Sequence, residues 1–62
     1  MTKKRAKLIK RYQDMMYMYG EYDLWEDDIE PKLDGMTDDE IQREYIIDRD
    51  YYKAREDAGG FF

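Results

Sequence analysis

Three features of this 62-residue chain predict an all-α fold. Apolar residues in its first third recur with a helical period, a capping box opens a second periodic run at Thr37, and glycines stand where both runs stop. The expected architecture is an antiparallel helical hairpin, about 2–19 and 37–58, joined by a short helical or irregular acidic connector. Each long helix should hold about 18–21 residues. The whole of 1–62 reads as one small domain, with 59–62 as a flexible C-terminal tail.

Thr2 can cap the first helix, and Gly20 is its stop signal. At roughly 100° per residue, Leu8, Ile9, Tyr12, Met15, Met16 and Tyr19 fall within about 120° of one another, an amphipathic stripe of normal width. Lys3, Lys7 and Lys10 lie on the opposite side. They sit in the first half of the helix, where the macrodipole makes cations mildly unfavourable. That placement marks them as a secondary basic face.

The connector is the most charged part of the chain. Between Glu21 and Glu40 there are ten carboxylates and one lysine. A short helix over 21–30 would put Tyr22, Trp25 and Ile29 on one face at i, i+3 and i+7. Pro31 disfavours helical geometry at Glu30, and Asp34-Gly35 marks a turn. Self-repulsion makes this segment the one expected to be mobile in isolation.

The sharpest local signal is Met36-Thr37-Asp38-Asp39-Glu40-Ile41. Thr37 and Glu40 form a capping box, Met36 and Ile41 take the hydrophobic-staple positions, and Asp38 and Asp39 place negative charge in the first turn. The helix then runs to Asp57 or Ala58 ahead of Gly59-Gly60. It carries two apolar stripes. Ile41, Tyr45 and Tyr52 form one, and Ile47, Tyr51, Ala54 and Ala58 the other, with Ile46 apart from both. The first can pack on the opening helix. The second needs the connector, solvent or another chain.

Composition excludes several function classes. With no cysteine and no histidine, a disulfide framework, a common zinc site and the usual nucleophile–base pairs are ruled out. Asp48 and Asp50 point roughly 200° apart on a helix and cannot grip one ion. Residues 23–34 have the length of an EF-hand loop, but Asp28 stands where that loop needs glycine. No enzyme, cofactor or metal is expected. The basic start lacks the apolar stretch of a signal peptide, and no segment approaches the roughly 18 apolar residues of a membrane span, so the expected location is cytoplasmic.

The functional expectation is a non-enzymatic protein that binds and inhibits or modulates a larger protein. Glu21, Asp23, Glu26, Asp27, Asp28 and Glu30 supply attraction and orientation toward a basic surface. Tyr22, Trp25 and Ile29, with Ile47 and Tyr51 from the last helix, supply the apolar anchor, although core packing is the commoner fate for an aromatic cluster such as Trp25 with Tyr17, Tyr19 and Tyr22. A nucleic-acid-binding protein is the most concrete target, with carboxylates standing in for phosphates and rings for bases. In size and charge the chain resembles small phage proteins that disable host enzymes, a likeness of composition alone. The alternative is a self-assembling structural or adaptor protein, a homodimer or larger, in which the basic arm of one copy meets the acidic segment of the next. Direct nucleic-acid binding is disfavoured by the net charge of −5. The closing Phe61-Phe62 pair either folds back over the last helix or docks in a partner's pocket.

Overall fold

A computed structural model describes residues 2–57. The expectations for Ala58 and for the tail 59–62 fall outside the described residues. The protein is all-α. The first helix, α1, covers Lys3–Met18, and the last, α4, covers Asp38–Asp57. Between them α2 (Tyr22–Leu24), a π-helical turn (Trp25–Ile29) and α3 (Glu30–Leu33) follow without a break. They form a single helical run over residues 22–33, the middle segment.

The ends of these elements are set by local chemistry. The Thr2 hydroxyl accepts the Arg5 N–H at 3.1 Å and caps α1. At its other end Gly20 takes φ +77°, which glycine adopts without a Cβ penalty. The Gly20 N–H donates to Tyr17 and the Glu21 N–H to Met16, the two bonds of a Schellman ending. The α4 capping box closes as expected: Thr37 N–H donates to the Glu40 carboxylate at 2.8 Å, and Glu40 N–H donates to the Thr37 hydroxyl at 3.2 Å. The bond from Thr37 holds the Glu40 carboxyl below its ordinary range.

Pro31 does not end the middle segment. Glu30 keeps right-handed helical geometry, φ −56° and ψ −47°. In a regular α-helix the proline ring would strike the carbonyl four residues back, that of Asp27. Here the turn just before it is wider: the Glu30 N–H reaches five residues back to Trp25. The extra residue in that turn makes room for the ring and lets the run continue to Leu33.

The long helices differ from the expected antiparallel pair. They run parallel, each antiparallel to the middle segment. Arg5 pairs with Asp38, Tyr12 bonds Asp48, and Tyr19 bonds Glu56, so the sequence offset stays at 33, 36 and 37 residues along the whole length. An antiparallel pair would show that offset shrinking steadily. The reason is the connector, which is helical and therefore carries the chain back to the start of α1. Arg5 fixes that return by donating to the Leu33 carbonyl at 2.6 Å and to Asp38 at 3.0 Å.

The core lies where the three runs meet. It comprises Leu8, Tyr12, Met15 and Met16 from α1, Trp25, Ile29 and Leu33 from the middle segment, and Ile41 and Tyr52 from α4. Ile9, Tyr19, Met36 and Tyr45 pack against it half-buried. The Tyr12 ring meets Trp25 edge-on at 5.3 Å and Tyr45 at 6.0 Å, while Tyr19 stacks on Tyr52 at 4.8 Å. Such aromatic pairs add about 0.5–1.5 kcal/mol each beyond their burial. No helix of the described residues is long and apolar enough to cross a membrane.

Trp25 is fully buried, whereas Tyr22 is about half-exposed. Trp25→Ala should therefore cost about 3–5 kcal/mol, comparable with the whole margin of a domain this small. The expected result is loss of the helical circular-dichroism signal at 25 °C, with Tyr22→Ala melting within a few degrees of the unsubstituted chain.

Candidate partner-binding surface

Four residues of the acidic run emerge from the structure with new or altered roles. Trp25 and Ile29, expected as surface anchors, lie in the core, 0% and 6% exposed. Their burial is what holds so charged a segment against the bundle, so neither can also face a partner. Glu21 is half-buried and accepts a hydrogen bond from the Tyr52 hydroxyl at 3.0 Å. Tyr22 stays exposed, but it packs edge-on against Tyr17 of α1 at 4.8 Å. It is thus turned to the α1 side and away from Ile47 and Tyr51.

The remaining carboxylates, Asp23, Glu26, Asp27, Asp28 and Glu30, are all exposed. None of them enters an ion pair among the described residues, where the four pairs are Arg5–Asp38, Lys10–Asp14, Lys32–Glu44 and Arg49–Asp50. The basic arm does not fold onto them. Arg5 is taken by Asp38 and Lys10 by its own helix, while Lys3 and Lys7 remain exposed. No group of three or more carboxylates among the described residues is arranged to hold a metal ion.

Ile47 and Tyr51 are exposed at 53% and 57%. They follow Glu44 by three and seven residues, on the same stripe of α4. Glu44 reaches Lys32 of the middle segment at 3.8 Å, so this stripe borders that segment. Leu24 and Asp28 precede Lys32 by eight and four residues and lie on the flank turned to α4. The antiparallel run sets Asp28 level with Ile47 and Leu24 level with Tyr51. The result is a shallow apolar strip of Leu24, Ile47 and Tyr51, edged by Asp28 and Glu44, with the Arg55 guanidinium 5.7 Å from the Tyr51 ring centre. Leu24 was not expected here. Its signal in the sequence is the position next to Trp25: once Trp25 faces the core, Leu24 falls about 100° away.

No protein-family model, no curated protein and no solved structure matches this chain.

Three tyrosine–carboxylate bonds tie the surface to the core. Tyr12 donates to Asp48, Tyr19 to Glu56 at 2.9 Å and Tyr52 to Glu21. Burial, with the bond to Asp48, raises the Tyr12 pKa well above its ordinary value. Burial and Glu21 push Tyr52 up to about 12, and the bond to Glu56 raises Tyr19. The folded protein therefore keeps protons that the unfolded chain releases above pH 10.0, the ordinary tyrosine value. Their stabilisation is complete below that pH and declines as pH climbs through the folded values. Denaturant melts at about pH 9 and about pH 11 should show a clear drop in stability at the higher value. Tyr52→Phe should make the drop smaller.

Proposed function

We propose that the chain is a small acidic, non-enzymatic protein that binds a larger cytoplasmic protein and inhibits or modulates it. The observation that carries this reading is the set of exposed, unpaired carboxylates Asp23, Glu26, Asp27, Asp28 and Glu30 on a helical run anchored by buried Trp25, Ile29 and Leu33. Five like charges held near one another at a cost to folding suit a cationic counterpart, which they would attract and orient. A nucleic-acid-binding groove is the most concrete counterpart, because carboxylates on a stiff helical body can stand where phosphates would bind. The adjoining strip of Leu24, Ile47 and Tyr51 supplies the apolar contact that charge alone lacks. Preorganisation matters too. A segment already folded against a core binds without the ordering cost of a free peptide.

The test is affinity capture from bacterial lysate with the tagged chain, washed at about 0.1 M and about 0.5 M salt, where screening lengths differ about twofold. A stoichiometric partner released by the higher salt and displaced by DNA is the expected outcome. Capture unaltered across that range would overturn the charge-guided reading. With the captured partner in hand, Ile47→Ala with Tyr51→Ala should weaken binding about tenfold or more while leaving the melting temperature nearly unchanged, since both side chains are exposed.

A further inference from the structure

The packing of α1 against α4 forms a second charged surface. Lys4, Lys7 and Arg11 recur at i, i+3 and i+7 on α1, and Arg49 and Lys53 at i and i+4 on α4. The two stripes converge on one side. The Arg11 and Arg49 guanidinium carbons lie 5.2 Å and 5.8 Å from the centre of the same Tyr45 ring. All five cations are exposed. Among the described residues only Arg49 enters an ion pair, with its exposed neighbour Asp50 at 3.4 Å. Met18 continues the α1 stripe seven residues beyond Arg11 and is 71% exposed, the most exposed large apolar side chain of the described residues.

The middle segment covers the other side of the α1–α4 pair, through Trp25 against Tyr12 and Lys32 against Glu44. Its five free carboxylates therefore face away from the five cations. Within one molecule the two sets do not meet. Between molecules they are opposite in sign, five carboxylates against four unpaired cations and Arg49, and each brings an exposed apolar residue: Met18 beside the cations, Leu24 beside the carboxylates. We propose that the cationic cleft between α1 and α4 is the docking surface for the acidic middle segment of a second copy of this chain. Because the two surfaces are different and lie on opposite sides, the contact is heterologous and extends into a head-to-tail stack without closing as a symmetric dimer. Exposed ion pairs are individually weak and screened by salt, so the stack is reversible and forms at low ionic strength. This assembly does not depend on a larger partner, although it uses the same carboxylates.

Sedimentation velocity of the full chain at about 20 mM and about 500 mM salt tests it. Two variants complete the experiment: a cleft variant, Lys4→Gln with Lys7→Gln and Arg11→Gln, and a segment variant, Asp23→Asn with Asp27→Asn and Asp28→Asn. All six positions are exposed, and circular dichroism checks that the helices persist. The unsubstituted chain should sediment faster with rising concentration at low salt and as a monomer at high salt. Each variant alone should stay monomeric. An equimolar mixture should form a dimer and nothing larger, because it unites one intact cleft with one intact segment. A monomer under every condition, a mixture that fails to dimerise, or variants that associate like the unsubstituted chain would each overturn the proposal. So would a monomeric chain whose cleft binds a short DNA duplex and loses it in the cleft variant, which would assign the cleft to phosphate.

Discussion

Tyr12 is the residue on which the arrangement turns. Its ring meets Trp25 of the middle segment and Tyr45 of α4, and its hydroxyl donates to Asp48, so one α1 side chain holds both other runs in register. Arg5 repeats the pattern at the start of α1 with Leu33 and Asp38, and Tyr19, at the C-cap of α1, holds α4 through Tyr52 and Glu56. Three such points along α1 leave α4 no freedom to reverse or slide. Tyrosine suits this task in a chain poor in branched aliphatic residues. It fills core volume with its ring while its hydroxyl satisfies a carboxylate at the edge. The core is thus assembled partly from hydrogen-bonded rings, and its dependence on proton occupancy follows from that composition.

The parts of the fold legible in the sequence are those with local causes. Thr2, Gly20 and the Thr37–Glu40 box act within one turn, and each performs the role that its spacing implies. The α1 stripe was legible for the same reason, since burial of Leu8, Tyr12, Met15 and Met16 follows the helical period. Direction was not. Periodicity says which face of α4 is buried but is silent on whether the helix runs up or down, and a connector of this length permits either. The decision lay in Pro31, read as a stop, which the wide turn at Trp25–Ile29 absorbs. Trp25 was open to two roles, core and anchor, for a different reason. Its surroundings are the most charged in the chain, and charge density suggests surface. Yet a charged run needs at least one apolar side to fold at all, and Trp25, Ile29 and Leu33 are that side.

The same reversal of direction reorganises the electrostatics. In an antiparallel hairpin Lys4 and Lys7 of early α1 would lie level with Lys53 and Arg49 of late α4. The parallel register instead spreads Lys4, Lys7, Arg11, Arg49 and Lys53 along the α1–α4 seam, with Arg11 and Arg49 meeting at Tyr45, while the middle segment packs on the other side. A chain of net charge −5 is therefore two-faced rather than uniformly acidic. Sequence order alone concealed this, because two of the five cations sit in the second half of the chain among acidic neighbours.

Both roles argued for the middle segment draw on one property. Its carboxylates are kept apart from the protein's own cations by the fold, and they are held in place by buried apolar side chains. Had the basic arm folded onto them, each exposed pair would have added under about 1 kcal/mol of stability and removed a charge from the surface. The fold forgoes that small gain and keeps the charges available. A cationic protein and a second copy of the chain would then compete for the same residues, and concentration would decide between them. At low copy number a tight external partner of the kind proposed would take the segment first. At high copy number and low salt, the proposed weaker contact between copies would gain by mass action, and the carboxylates would be sequestered until a partner with better apolar complementarity to Leu24, Ile47 and Tyr51 displaced them.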